Sequence, residues 1–183
     1  FLEEVRQHLE HEYGATRLYE DGLVVHSTLD ADLQRAANRA VSQGLRTLDK
    51  RHGFRGPKRN LLRDTDAIDP VSDFTHSRWR YPVAVGDMVP AIVTGTTTDL
   101  IQVRVGEHEL DIDRDGYRWT RRSDPDQLVQ VGDLIDVTLT ALASLNGERG
   151  TATLDQEPEV EAALIAIENR TGHVLAMVGG YDF

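Results

Sequence analysis

The 183-residue sequence predicts a mainly β protein with flanking helices: a five-stranded barrel between a helical linker and a short apolar hairpin. Three observations carry that expectation. Residues 83–157 alternate short β-rich runs with Gly, Asp and Asn turn signals. Residues 1–52 instead space many of their apolar side chains at helical intervals. Residues 163–178 form two near-continuous apolar runs around Asn169-Arg170-Thr171-Gly172, the pattern of strands covered on both faces.

Taken in order, Phe1, Leu2, Val5, Leu9 and Tyr13 recur at helical spacing, and Gly14 offers a left-handed cap. Glu20-Asp21-Gly22 reads as a turn, and residues 23–28 as a strand. Asp30 is placed to cap a long helix striped by Leu33, Ala36, Ala37, Ala40, Val41, Gly44, Leu45 and Leu48. Lys50, Arg51 and His52 suit the negative end of its dipole, and Gly53 stops it. Gly56-Pro57 and Asp69-Pro70 mark a connector without periodicity up to residue 82.

The second region holds five strand patterns, at residues 88–96, 100–105, 107–113, 134–139 and 151–154. Asp115-Gly116 predicts a tight turn ahead of Tyr117-Arg118-Trp119, and Asn146-Gly147 a hairpin turn. Val131-Gly132-Asp133 repeats Val85-Gly86-Asp87 at the start of a strand. Five strands with the longest connection between the third and fourth follow the order of an OB fold. The expected organisation is a linker region at 1–82, an OB-like domain at 83–158 and a hairpin at 159–183.

An OB fold raises the possibility of single-stranded nucleic-acid binding, which needs a cationic groove and stacking aromatics. Residues 83–157 hold six arginines, no lysine and fourteen acids, and the patterns at 100–105 and 107–113 carry no aromatic. Phosphate would be repelled, so no nucleic-acid partner is expected; the net charge of −11 argues the same way and also against an anionic membrane patch. Tyr117, Arg118, Trp119, Arg121 and Arg122 form the one basic-aromatic cluster. Such residues dominate interaction hot spots, which makes these five the partner-contact candidates. The competing reading has Trp119 filling the barrel mouth while the arginines answer nearby acids. His8 and His11 lie one turn apart beside Glu4 and Glu12, but no third His and no Cys completes a zinc set. Residues 107–115 lack the loop spacing of a calcium site. No metal and no cofactor are expected, and with no cysteine there is no disulfide framework.

Two motifs carry a family resemblance. Glu168-Asn169-Arg170-Thr171-Gly172 followed by Leu175-Ala176-Met177-Val178-Gly179-Gly180 resembles the opening hairpin of the transpeptidase domain of class A penicillin-binding proteins. Gly22-Leu23-Val24-Val25-His26-Ser27-Thr28-Leu29-Asp30, with Leu33-Gln34-Arg35-Ala36-Ala37, resembles the strand and helix that precede it. His26-Ser27 departs from the family's usual pair there. The stretch between the motifs is similar to the 1A-like branch, in which an OB-like domain is inserted. The resemblance implies a piece of a longer protein: linker, inserted barrel and first hairpin of a truncated transpeptidase sheet. It implies a parent that polymerises glycan strands and cross-links stem peptides on the periplasmic side of the bacterial inner membrane, reached through an N-terminal anchor. Implied partners are the rest of the transpeptidase domain and, in some members, an outer-membrane lipoprotein activator. No serine here has Lys three residues on, and neither Ser-x-Asn nor Lys-Thr-Gly occurs, so no catalytic residue is expected. The alternative from another class is an independent OB-fold binding module for nucleic acid or oligosaccharide.

Overall fold

The computed structural model describes residues 1–64, 71–142 and 148–181. In chain order its elements are α1 (Leu2–Tyr13), α2 (Ala15–Glu20), α3 (Ala31–His52), β1 (Arg59–Asn60), α4 (Leu61–Asp64), β2 (Met88–Thr96), β3 (Ile101–Val105), β4 (His108–Ile112), α5 (Arg114–Tyr117), β5 (Asp133–Ala141), β6 (Gly150–Asp155), β7 (Ala163–Ile167) and β8 (Val174–Gly179). The chain divides into two compact units, Leu48–Glu157 and Phe1–Thr47 with Pro158–Phe183.

The expected barrel is the centre of the first of these units. β2 pairs antiparallel with β3 and with β5, and β3 with β4. β4 then pairs in parallel with β6, and β6 antiparallel with β5, which closes the ring. Alternation drives the burial: Ile101, Val103 and Val105 point inward from β3, and Leu110 and Ile112 from β4, all at most 1% exposed. Val89, Ala91, Val93, Ile135, Val137, Leu139 and Leu154 complete the core. Each large aliphatic side chain removed from water in this way contributes about 1.5–3 kcal/mol.

Local chemistry departs from the sequence reading at two places in this unit. Asp115-Gly116 lies in a helical turn, not a tight turn between strands, because the Asp113 carboxylate caps it, accepting from Gly116 N at 2.9 Å. A Cβ at Gly116 would lie 2.8 Å from Ile112 Cγ2 and 3.1 Å from the Ala152 carbonyl oxygen, so the turn packs too closely for any larger residue. The connector is also more than a linker: residues 48–82 belong to the barrel unit, and β1 adds two pairs to β5. Asp69-Pro70 and the Asn146-Gly147 turn fall outside the described residues.

In the other unit, α1 ends at Gly14, whose φ of 81° is the positive value that favours glycine and whose ψ of 156° lies outside the helical left-handed well; its N–H donates to Glu10 O at 2.9 Å, and α2 starts directly after it. Arg6 links the two helices, reaching Glu3 at 2.6 Å, Glu10 at 2.6 Å and the Tyr19 hydroxyl at 2.9 Å. Its hydrogen bonds, helped by Gln7, pull the Glu3 carboxyl down to about 2. Asp30 caps α3 as expected, accepting from Leu33 N at 2.9 Å. Ala37, Val41 and Leu45 form the buried i, i+4 line of that helix, while Leu33 and Leu48 of the predicted stripe stay partly open.

β7 and β8 form the expected hairpin, closed by Glu168 N to His173 O at 2.9 Å and Gly172 N to Glu168 O at 2.8 Å. Gln34 docks α3 on its edge by a double amide pairing: its Nε2 donates to Met177 O and its Oε1 accepts from Met177 N, each at 2.9 Å. Residues 23–28 do not form the predicted strand. Thr28 Oγ1 donates to Val174 O at 2.6 Å, and just beyond the segment Asp30 N donates to Leu175 O at 2.9 Å, both on β8, while Val24 is 81% exposed. β-propensity needs a ladder to express it, and here only the end of the segment finds one.

Candidate functional site

The five partner-contact candidates sit on α5 and the 3-10 turn Arg118–Thr120 that follows it, and they divide by direction. Tyr117 is wholly enclosed, its hydroxyl donating to Asp99 O at 3.3 Å; burial pushes its phenol above the ordinary tyrosine range. It presents nothing to a partner, which corrects its place among the candidates. Trp119 is half-buried: its Nε1 donates to Leu154 O at 3.0 Å, and Phe54 meets its ring edge-on at 6.0 Å. Lys50 Nζ lies 5.2 Å from the centroid of the same ring. The arginines point outward. Arg118 pairs with Asp115 at 3.2 Å, and Arg122 Nη1 donates to Gln127 O at 2.5 Å. Exposed Arg121 adopts φ 61°, the one positive φ at a non-glycine residue in the described chain. A left-handed conformation costs a side-chain-bearing residue about 1–2 kcal/mol. Arg118, Arg121 and Arg122 therefore remain on one exposed segment, and the two aromatics serve the core.

A second constellation escaped the sequence reading. Asp136 and Asp155 face one another across the β5–β6 ladder, 7% and 3% exposed. Like charges directly opposite are unfavourable. The chain's two lysines answer them: Lys58 Nζ lies 2.9 Å from Asp136, and Lys50 Nζ 3.2 Å from Asp155. Burial works against the Lys58 ammonium, but the Asp136 and Glu157 carboxylates outweigh it and hold its titration above the ordinary lysine range. Beside this pair, Asp49 is 1% exposed, held by Arg55 at 2.6 Å and by Gln156 Nε2 at 2.7 Å. The available signal was an acid beside large apolar residues in each strand, Asp136 between Ile135 and Val137 and Asp155 after Leu154.

The connector carries a third cluster that sequence reasoning passed over. Trp79 Nε1 donates to Pro90 O at 2.7 Å, and Phe74 meets the Trp79 ring edge-on at 5.4 Å. The Arg104 guanidinium lies 5.4 Å from that ring's centroid and donates to the carbonyls of Val71, Ser72 and Phe74 at 2.6, 3.2 and 3.1 Å. The aromatic-rich run from Phe74 to Tyr81 was the sequence signal. Among the described residues, no three His, Asp or Glu side chains converge as a metal site would require.

A closed five-stranded barrel with this strand order is an OB-type domain. Residues 54–160 match the family model described as the penicillin-binding protein OB-like domain, and the chain belongs to that family. Its relatives narrow the class to the 1A-like branch. Penicillin-binding protein 1A of Escherichia coli K12 is 32% identical over 99% of the chain, and that of Pseudomonas aeruginosa 30% identical over 93%. The crystal structure of penicillin-binding protein 1A from Haemophilus influenzae superposes with a TM-score of 0.74 at 27% identity, covering 98% of this chain and 25% of that one. The chain spans about a fifth of its curated relatives, 22% of the E. coli protein.

Proposed function

We propose that the chain is the linking and regulatory region of a peptidoglycan synthase whose full-length form polymerises glycan strands and cross-links stem peptides. The observation that supports this most is end-to-end similarity: 98% of the chain follows a solved penicillin-binding protein 1A, barrel, helices and hairpin included. In this reading the chain performs no bond chemistry, since the Ser-x-x-Lys nucleophile motif is absent from its sequence. The β7–β8 hairpin opens the transpeptidase sheet. The barrel works on the periplasmic side of the inner membrane; among the described residues no helix is long and apolar enough to cross a membrane, so anchoring falls to sequence outside this region.

The barrel's regulatory surface is the segment carrying Arg118, Arg121 and Arg122, and the partner it awaits is an outer-membrane lipoprotein activator. Exposure of all three guanidinium groups supports this placement, and the strained backbone at Arg121 is of the kind that accompanies function. Two measurements test the proposal. In the full-length synthase, replacing residues 54–157 by a short bridge leaves basal glycan polymerisation and cross-linking in place and removes activation by the lipoprotein. Loss of both basal activities would overturn the regulatory role. Separately, titrating the purified activator onto the intact chain shows at least about tenfold weaker binding to Arg121→Glu/Arg122→Glu, the scale of a lost hot spot. Equal affinity overturns the contact assignment.

A further inference from the structure

We infer that His76 is an acid-released latch, holding the segment 71–81 against the outside of the barrel at neutral pH and letting it go under mild acid. Among the described residues the segment is held by Trp79, which packs on the barrel core, by Arg78 paired with Asp87 at 3.0 Å, and by Arg104. Trp79 is bonded to the Pro90 carbonyl of β2, and Arg104 of β3 gathers the carbonyls of Val71, Ser72 and Phe74. The 3-10 turn Ser77–Arg80 that presents Trp79 starts from His76, whose Nδ1 accepts from Arg78 N at 3.1 Å. The His76 carbonyl accepts from Trp79 N at 3.0 Å, so the same residue closes the turn from both its side chain and its backbone.

Most N-caps are Ser, Thr, Asp or Asn, whose oxygens keep accepting across the neutral and mildly acidic range. An imidazole does so only while neutral. The Arg78 N–H can only donate, so Nδ1 must offer its lone pair. Imidazolium carries a hydrogen on both nitrogens, and the contact then sets donor against donor. Imidazoles change charge at about pH 6.5.

The charged groups around the ring do not offset that loss. Arg78, on the same turn, and Arg104, stacked on Trp79 from the barrel, are both cations. Of the carboxylates, Asp73 on the same segment is exposed to water, and Asp87 is already engaged by Arg78 Nη2 at 3.0 Å and by Ala84 N at 3.1 Å. Phe74 and Trp79 flank the imidazole at ring-centroid distances of 6.5 and 6.2 Å and offer no acceptor in its place. Protonation therefore removes the cap, withdraws Trp79 from Pro90 and uncovers the indole and the Arg104 guanidinium on the β2–β3 face.

The test is hydrogen exchange on the full chain, followed by NMR from pH 8 to pH 5 and corrected for the intrinsic pH dependence of exchange. Protection of the Arg78 amide and of the Trp79 indole N–H falls about five- to tenfold through one transition between pH 8 and pH 5, the scale of a lost N-cap. Amides of β2 and β5 keep their protection throughout. His76→Asn, which caps without titrating, stays protected over the whole range. An identical fall in His76→Asn, constant protection in the unaltered chain, or parallel loss across β2 and β5 would each overturn the latch.

Discussion

Replacing Lys50 by methionine exposes how the barrel tolerates two carboxylates face to face. Methionine keeps most of the stem's volume and removes only the charge. The ammonium lies 3.2 Å from an Asp155 side chain that is 4% exposed, and over the Trp119 ring. At that separation and an effective dielectric constant near 20, the gross attraction is about 5 kcal/mol. Removing one partner of a buried pair costs about 3–5 kcal/mol, because the other charge stays buried. The low end applies, since Lys50 is 26% exposed and Asp155 keeps Thr138 Oγ1 at 2.7 Å and Gln156 N at 3.0 Å. The expected loss is therefore about 3 kcal/mol, read by urea unfolding at pH 7 with tryptophan fluorescence. Most of it reflects a stranded carboxylate opposite Asp136, so Lys50→Met/Asp155→Asn recovers at least half. A single-variant loss below about 1 kcal/mol, the range of a surface pair, would refute the reasoning. A double variant no more stable than Lys50→Met would do the same.

Other outcomes follow from the same geometry. Trp119→Ala destabilises the barrel by about 3–5 kcal/mol in the same unfolding assay, because it opens a cavity between Phe54 and Leu154. Arg121→Gly, by contrast, stabilises by up to about 1 kcal/mol through relief of the left-handed conformation; destabilisation there would mean the side chain supports the fold. Gly116→Ala costs about 1–3 kcal/mol by driving a methyl into Ile112 and the Ala152 carbonyl, seen as a lowered melting temperature. Tyr117 titrates higher folded than unfolded, so its contribution is fully present below about pH 10 and is lost as pH climbs beyond that; absorbance at 295 nm shows one of the five tyrosines ionising only with unfolding. Tyr117→Phe flattens that alkaline fall. Amides of 163–178 exchange faster than those of β2 and β5, since Ile165 and Ile167 are 57% and 55% exposed.

Strands whose partners lie nearby in sequence could be read directly. β3 and β4 alternate cleanly because each buries one face, and β2 was bounded correctly by Asp87 and the threonines after Gly95. The segment 23–28 misled because β-branched residues report a tendency that only a neighbouring ladder can satisfy. Asp115-Gly116 misled because the glycine answers crowding from Ile112 and β6, not a turn's dihedral angles. The connector looked featureless because its order comes from side-chain to backbone bonds spanning some thirty residues, such as Arg104 to Val71. Of the candidate site, the arginines were legible as exposed groups, whereas the inward direction of Tyr117 depends on the barrel it plugs. The Asp136–Asp155 pair left two acids within strand patterns as its signal, but its lysines left none, since Lys50 and Asp155 meet only through the folded barrel.

Asp49 and Gln156, 107 residues apart, touch at 2.7 Å, and Arg55 and Lys58 reach back to Glu157. The barrel unit thus begins and ends at one spot. For the other unit this alters the entropy of assembly. Its Gln34–Met177 pairing joins residues 143 apart, a long closure if the intervening chain is unfolded. Once the barrel has formed, the path between them shrinks to roughly a quarter of that length, which lowers the closure cost by about 1 kcal/mol. The barrel unit therefore behaves as a clasp: once formed, it brings helix α3 and the β7–β8 hairpin within reach of each other along the chain.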